Sequence, residues 1–291
     1  MRIRIHSQES KLLLSGDFSA FNLPSSPKLV ALLLNEFDQK EIDLKNITQL
    51  ANLDPALAAR MLQIANSGFF QRPKSIFSVS ESIALLRLSQ VRSMVSAAAS
   101  NTSLKSVPGI NLPQFWNYSV QVARISRSLA RLIWQNQQAA FTCGLIHAIG
   151  QLAMHIAMPE QMSTFSLKCS PFLHGREKAE MRALGYCHAQ VAAAFARKWQ
   201  FPLQMVEALE HQCAPFEETV YEPLAGILHL ASWRARTKIA GLSGKELAVT
   251  FPGEVGEILH LDIDMVLQQD PINWKKTSPC MPWLGYDYLN Y

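Results

Sequence analysis

Apolar side chains recur three and four positions apart along most of this chain, with almost no alternation at two. That spacing admits packed helices and leaves little room for a sheet. Leu29, Leu32, Leu33 and Phe37 follow Ser26-Pro27, which reads as an N-cap with proline at the first helical position. Leu44, Ile47, Leu50 and Ala51 share a second stripe, and Asp54-Pro55 then caps a helix carrying Leu57, Met61, Ile64 and Ala65. Further helical stretches are expected over 80–100, 114–137, 139–157, 176–184, 187–200, 203–212 and 220–240. The fold class is therefore all-α. Turn-favouring residues gather in 101–113 and separate two helical groups. The expected organisation is an N-terminal tail (1–19), a helical subdomain (20–105) packed on a helical bundle (106–240), and a less regular extension (241–291). In that extension Trp274, Trp283, Tyr286, Tyr288 and Tyr291 lie too close together to be left in water, so they are expected to pack on their own domain.

Charge narrows the function classes. Only 17% of the residues are charged, 48% are hydrophobic and the net charge is +4. Against about a quarter charged in an average soluble domain, this excludes disorder as the main state. It also argues against a dedicated nucleic-acid binder. Five cysteines, Cys143, Cys169, Cys187, Cys213 and Cys280, include no CxxC pair, so neither a zinc ribbon nor a disulfide framework is suggested. The opening residues have basic side chains but no apolar run behind them, and no stretch reads as a membrane span. The expectations are a cytoplasmic protein and no membrane insertion.

Candidate chemistry is sparse. The segment 44–66 has the outline of a helix-turn-helix, but its second helix opens with Pro55, Ala56, Leu57, Ala58 and Ala59 before Arg60 and Gln63, a packing face. Arg124, Arg127 and Arg131, and Arg234 with Lys238, form basic stripes that read as solvated faces. His147, His188 and His211 each fall near a helix end, and Cys143 lies four residues before His147. Three converging imidazoles could hold zinc or a similar ion. A hydrolytic centre also needs carboxylates, and only Glu207 and Glu210 are near these three in sequence, so no cofactor is expected. Cys187 and His188 are adjacent and point to different helix faces, and no nucleophile elbow, P-loop or dinucleotide fingerprint is present.

Several segments taken together resemble the HDOD family, a bacterial signalling branch related to the HD-type phosphohydrolases. They are Asn22-Leu23-Pro24-Ser25-Ser26-Pro27, the run from Leu53-Asp54-Pro55-Ala56-Leu57 to Ala65-Asn66-Ser67, and Ile76 to Leu88 with Ser89 at a usual glycine. The likeness continues in Phe115-Trp116-Asn117-Tyr118-Ser119, Gly144-Leu145-Ile146-His147-Ala148-Ile149-Gly150 and Gly185-Tyr186-Cys187-His188-Ala189. The resemblance covers about residues 20–240 and makes the second subdomain an HD-like bundle. It implies that Tyr118, Ala148 and Ser232 stand where metal-binding relatives keep a histidine and two aspartates, with His147, His188 and His211 as remnants. A non-catalytic regulator is the implied function, working on signalling proteins in trans: a kinase, a response regulator or a cyclic-di-nucleotide enzyme. The alternatives are a metal-dependent phosphohydrolase acting on a nucleotide or cyclic di-nucleotide, and a nucleotide- or nucleic-acid-binding module. The expected interaction groove runs by Asn66, Ser67, Tyr118 and His147, although Asn66-Ser67 also reads as a helix C-cap.

Overall fold

A computed structural model describes residues 8–16, 23–68, 75–100, 106–216 and 221–269. The described residues are helical, with no strand; an isolated bridge joins Val107 and Ile110. Helix α1 (Gln8–Ser15) falls where a tail is expected, yet it packs against α12 (His188–Lys198) through the fully buried Leu13. Ser10 adds a 3.1 Å hydrogen bond to Tyr186.

The first helical group comprises α2 (Pro27–Phe37), α3 (Leu44–Ala51), α4 (Pro55–Ala65), α5 (Val79–Leu85) and α6 (Leu88–Ser100). Asp43 caps α3 by accepting from the Lys45 and Asn46 amides. Asp54 both caps α4, accepting from Leu57 N at 3.0 Å, and accepts from Ser26 N, the cap of α2, at 2.8 Å. One buried carboxylate thus fixes two helix starts. Pro55, Ala56, Leu57, Ala58 and Ala59 are all buried, so α4 is a core helix and presents no reading face.

The second group is built round α7 (Leu112–Leu132), which packs on α8 (Gln137–Ile146) and α14 (Pro223–Ile239). Residues 139–146 of α8 are buried without exception, the signature of a helix enclosed on all sides. The apolar run Gln137–Ala157 is, contrary to expectation, long and apolar enough to cross a membrane by length and composition, but its residues 139–155 all lie buried inside the protein. It is also broken into α8 and α9 (Ile149–Ala157) at His147-Ala148, where His147 turns to cap Gly144 O at 2.7 Å. The stretch expected over 80–100 is likewise broken, because Leu86 takes an extended backbone between α5 and α6. Beyond α9 come α10 (Pro159–Lys168), α11 (Arg176–Leu184) and α13 (Leu203–His211), with α12 lying between α9 and α13.

The two groups share one hydrophobic core, α4 packing onto α7 and α8. Past residue 240 the chain stays ordered in α15 (Gly244–Thr250), α16 (Gly253–Ile258) and α17 (Ile263–Gln268). Ser243 and Glu246 cap one another's turn, Trp233 meets Phe251 edge-on at 5.2 Å, and Val255, Leu259, Leu261 and Val266 are buried. Cys280 and the aromatic cluster from Trp274 to Tyr291 lie outside the described residues.

Candidate functional site

The break between α8 and α9 brings a histidine into the bundle interior. His147 Nδ1 donates to Gly144 O, which leaves its Nε2 as a lone-pair acceptor. That atom is buried and has no protein partner. Burial, reinforced by the charges of Arg236 and His188, holds His147 neutral with a pKa of about 3. Tyr118 packs edge-on against the ring at 5.0 Å and makes a second such contact with Phe172 at 5.0 Å.

His188, the first residue of α12, belongs to a different network. Its backbone N donates to Glu180 Oε2 at 2.9 Å and its Nδ1 donates to the same oxygen at 2.6 Å. The other carboxylate oxygen accepts from Arg176 Nε at 2.8 Å, so a cation closes each side of Glu180. Arg176 and Glu180 sit one turn apart on α11 and are 1% and 0% exposed. The guanidinium also donates to Cys169 O, to Ser166 Oγ at 3.3 Å and to His155 Nε2 at 3.3 Å, and lies over the Phe165 ring. A buried ion cluster persists only when its members are satisfied in this way. Burial disfavours the Glu180 charge, but His188 and Arg176 outweigh it and hold the carboxyl well below the usual range. Burial equally opposes charge on His188, yet Glu180 and Cys213 hold the imidazole pKa well above its ordinary value. His188 is therefore an imidazolium whose Nε2 faces Cys213 Sγ at 3.7 Å.

Tyr118, His147, Arg176, His188 and Cys213 line a cavity of about 20 Å³ with Ala148, Gln151, Pro171, Gln212, Ser232 and Arg236. Gln212 donates to His147 O at 3.2 Å and to Leu209 O at 2.8 Å, which fixes the end of α13 over the cavity. His229 Nδ1 secures Gln212 O at 2.9 Å.

Of the residues singled out from sequence, the cavity unites Tyr118, His147, Ala148, His188 and Ser232. His211 does not line it: its imidazole lies 3.9 Å from Glu210, and the turn after α13 sends Gln212 and Cys213 inward instead. Cys143 is buried in α8 and is not part of the lining, and Glu207 and Glu210 are also absent from it. Asn66 and Ser67 stand apart from the cavity as well. Asn66 clasps the Ile76 backbone through N–H···Oδ1 at 2.9 Å and Nδ2–H···O at 3.0 Å, and Ser67 Oγ donates to Ile64 O. Of the basic stripe on α7, Arg127 and Arg131 are exposed while Arg124 is half-buried. The residues that sequence reasoning missed are Arg176, Glu180, Gln151, Cys213 and Arg236. An arginine and a glutamate four apart on a polar helix ordinarily read as a solvated pair.

The donor set does not fit a hydrolytic metal. Among the described residues no carboxylate lines the cavity, while two arginines and the His188 imidazolium do. His188 Nε2 carries a proton where a ligand needs a lone pair, and Ala148 and Ser232 offer no charge to offset a divalent ion.

A family model for the HDOD domain matches residues 23–215. An uncharacterized protein of Treponema pallidum (strain Nichols) is 23% identical over 243 residues, covering 80% of this chain; the chain spans about half of that relative, 46% of its length. Among solved structures, the MmoQ response regulator of Methylococcus capsulatus is similar in fold, with a TM-score of 0.68, 24% identity, and 84% of this chain and 94% of that one covered. A Shewanella amazonensis protein provisionally assigned as a phosphohydrolase superposes with a TM-score of 0.51 at 26% identity, covering 91% of this chain and 94% of the other.

Proposed function

This chain belongs to the HDOD family, and on that premise we propose that it is a non-catalytic regulator of bacterial signal transduction that acts on signalling proteins in trans. The observation that carries the reading is the lining of the HD-like cavity. Arg176, Arg236 and the His188 imidazolium surround a space of about 20 Å³, roughly one water molecule, where a phosphohydrolase needs metal-binding carboxylates and room for a phosphoester. Contact through the face at Asn66 and Ser67 and a cytoplasmic setting belong to the same reading, as does regulation of a kinase, a response regulator or a cyclic-di-nucleotide enzyme.

Purified protein incubated with manganese or zinc is expected to hydrolyse neither an aryl phosphodiester nor a cyclic di-nucleotide above the blank. It is expected to bind a cognate signalling protein in a pairwise interaction assay, with Ser67→Arg weakening that binding at least tenfold. Metal-dependent turnover that disappears in His147→Ala would overturn the reading.

A further inference from the structure

The cysteines occupy unlike environments. Cys143, Cys169 and Cys187 are buried and burial raises each thiol, whereas Cys213, on the turn after α13, is partly exposed. Among the described cysteines it is the one whose sulfur lies within hydrogen-bond range of an imidazole: Cys213 Sγ is 3.7 Å from His188 Nε2, with Glu180 2.6 Å behind Nδ1 and Arg176 2.8 Å behind Glu180, while the same imidazole acts on the Cys187 thiol without offsetting its burial. Carboxylate, imidazole and sulfur in that order form the arrangement that activates a cysteine, because the carboxylate orients the ring and sustains its charge while Nε2–H stabilises a thiolate. The titratable and charged groups that line the cavity with Cys213 are Tyr118 from α7, His147 from the end of α8, Arg176 from α11, His188 from the start of α12 and Arg236 from α14, with Cys187 and Glu180 next to them and His229 of α14 bonded to Gln212 O beside the cysteine. Glu180 is the carboxylate nearest this group, and both its oxygens are engaged by Arg176 and His188.

A second observation is independent of the cysteine. The same cavity receives the Nε2 lone pair of His147 and the Oγ of Ser232, on residues 3% and 5% exposed, and neither atom has a protein partner. Buried polar atoms aimed into a common space suit a small hydrogen-bonding guest. At about 20 Å³ the space takes a guest near the size of water and excludes a nucleotide or an acyl chain.

We propose that Cys213 is a redox-modification site, oxidised to the sulfenic acid by hydrogen peroxide that enters this cavity. The thiolate attacks the nearer peroxide oxygen; the S–O bond forms as the O–O bond breaks. Sulfur gives up two electrons, and the peroxide, in gaining them, releases hydroxide. Hydroxide takes the Nε2 proton of His188 and departs as water, leaving Cys213–SOH beside a neutral imidazole. The His147 lone pair accepts a hydrogen bond from the peroxide and orients it. This chemistry stands apart from the regulatory reading and from the identity of any partner.

The test uses the full chain, reduced and then exposed to about one equivalent of hydrogen peroxide with a 1,3-diketone probe for sulfenic acid. Peptide mass spectrometry is expected to find the label on Cys213 in preference to Cys143, Cys169 and Cys187, and to lose it in Cys213→Ser. The wild-type chain gives a second readout that needs no variant. At pH 7 the initial iodoacetamide rate at Cys213 is expected to exceed that of a cysteine in an unstructured peptide at least about tenfold. Label missing from Cys213 or spread evenly over the cysteines would overturn the proposal. So would a Cys213 alkylation rate no faster than that of the peptide thiol.

Discussion

Asp54 shows how much one buried side chain can organise. It is completely buried and accepts from the amides that begin α2 and α4, with Ser25 Oγ contributing at 3.3 Å. Burial raises its pKa and the hydrogen bonds offset part of that rise. Asp54→Ala would strip the cap from α4 and leave the Ser26 amide buried and unpaired. An ordinary exposed cap is worth about 1 kcal/mol, and the orphaned donor adds a similar or larger cost, so a loss of about 2–3 kcal/mol is expected. Urea unfolding monitored by circular dichroism checks this. Asp54→Asn, which keeps an acceptor, should lose less than half as much, and equal losses in the two variants would refute the capping account.

At the scale of elements, the site depends on how closely α9 crosses α12. A Cβ on Gly150 would lie 2.1 Å from His188 O and 2.7 Å from Ala192 N, both backbone atoms that no rotamer change can move. Gly150→Ala must therefore push the helices apart, at about 3 kcal/mol or more, and displace His188 from Glu180. The expected outcome is a lower urea midpoint and a changed His188 imidazole resonance; an unchanged spectrum would show that the contact is not tight. Helix existence was readable from apolar spacing, and the starts at Ser26-Pro27 and Asp54-Pro55 were readable from residue type, although Ser26 makes no side-chain cap bond and Asp54 does. The interruptions were not. Apolar periodicity runs unbroken through 139–157, yet the chain turns at His147-Ala148, where the His147 imidazole bonds back to Gly144 O. His211 was grouped with His147 and His188 because each falls near a helix end and because the family resemblance points there, and neither signal tells where α13 ends. The turn begins one residue later, which carries Gln212 and Cys213 inward instead. Arg176 and Glu180 were silent because polar residues at i,i+4 look alike whether solvated or enclosed.

Across the whole molecule, the buried imidazoles give stability an optimum in pH. His147 and His155, with folded pKa values of about 3 and about 4, and His229, also lowered by burial, stay neutral in the fold while the unfolded chain protonates below about 6.5. Through that window the unfolded state holds more protons, so stability falls as pH falls, by about 1.4 kcal/mol per unit for each imidazole. Glu180, held well below its usual value, extends the loss at lower pH still. Asp54 opposes it, because its folded pKa is raised. His188 acts on the other flank. Its folded pKa lies above the unfolded value, so its contribution is complete below about 6.5 and is lost as pH rises through the folded pKa. Unfolding free energies measured in urea from pH 5 to 9 should peak near pH 6.5–7 and decline on both sides. His147→Gln should flatten the acid limb by about one proton and leave the alkaline limb unchanged, whereas Glu180→Gln should remove the decline that begins near pH 7 and leave the loss above about pH 8.5 that the buried thiols Cys143, Cys169 and Cys187 contribute. An acid limb that keeps its full slope in His147→Gln would mean that the imidazole at the centre of the cavity is already protonated in the fold. The His147 lone pair would then be unavailable to any guest.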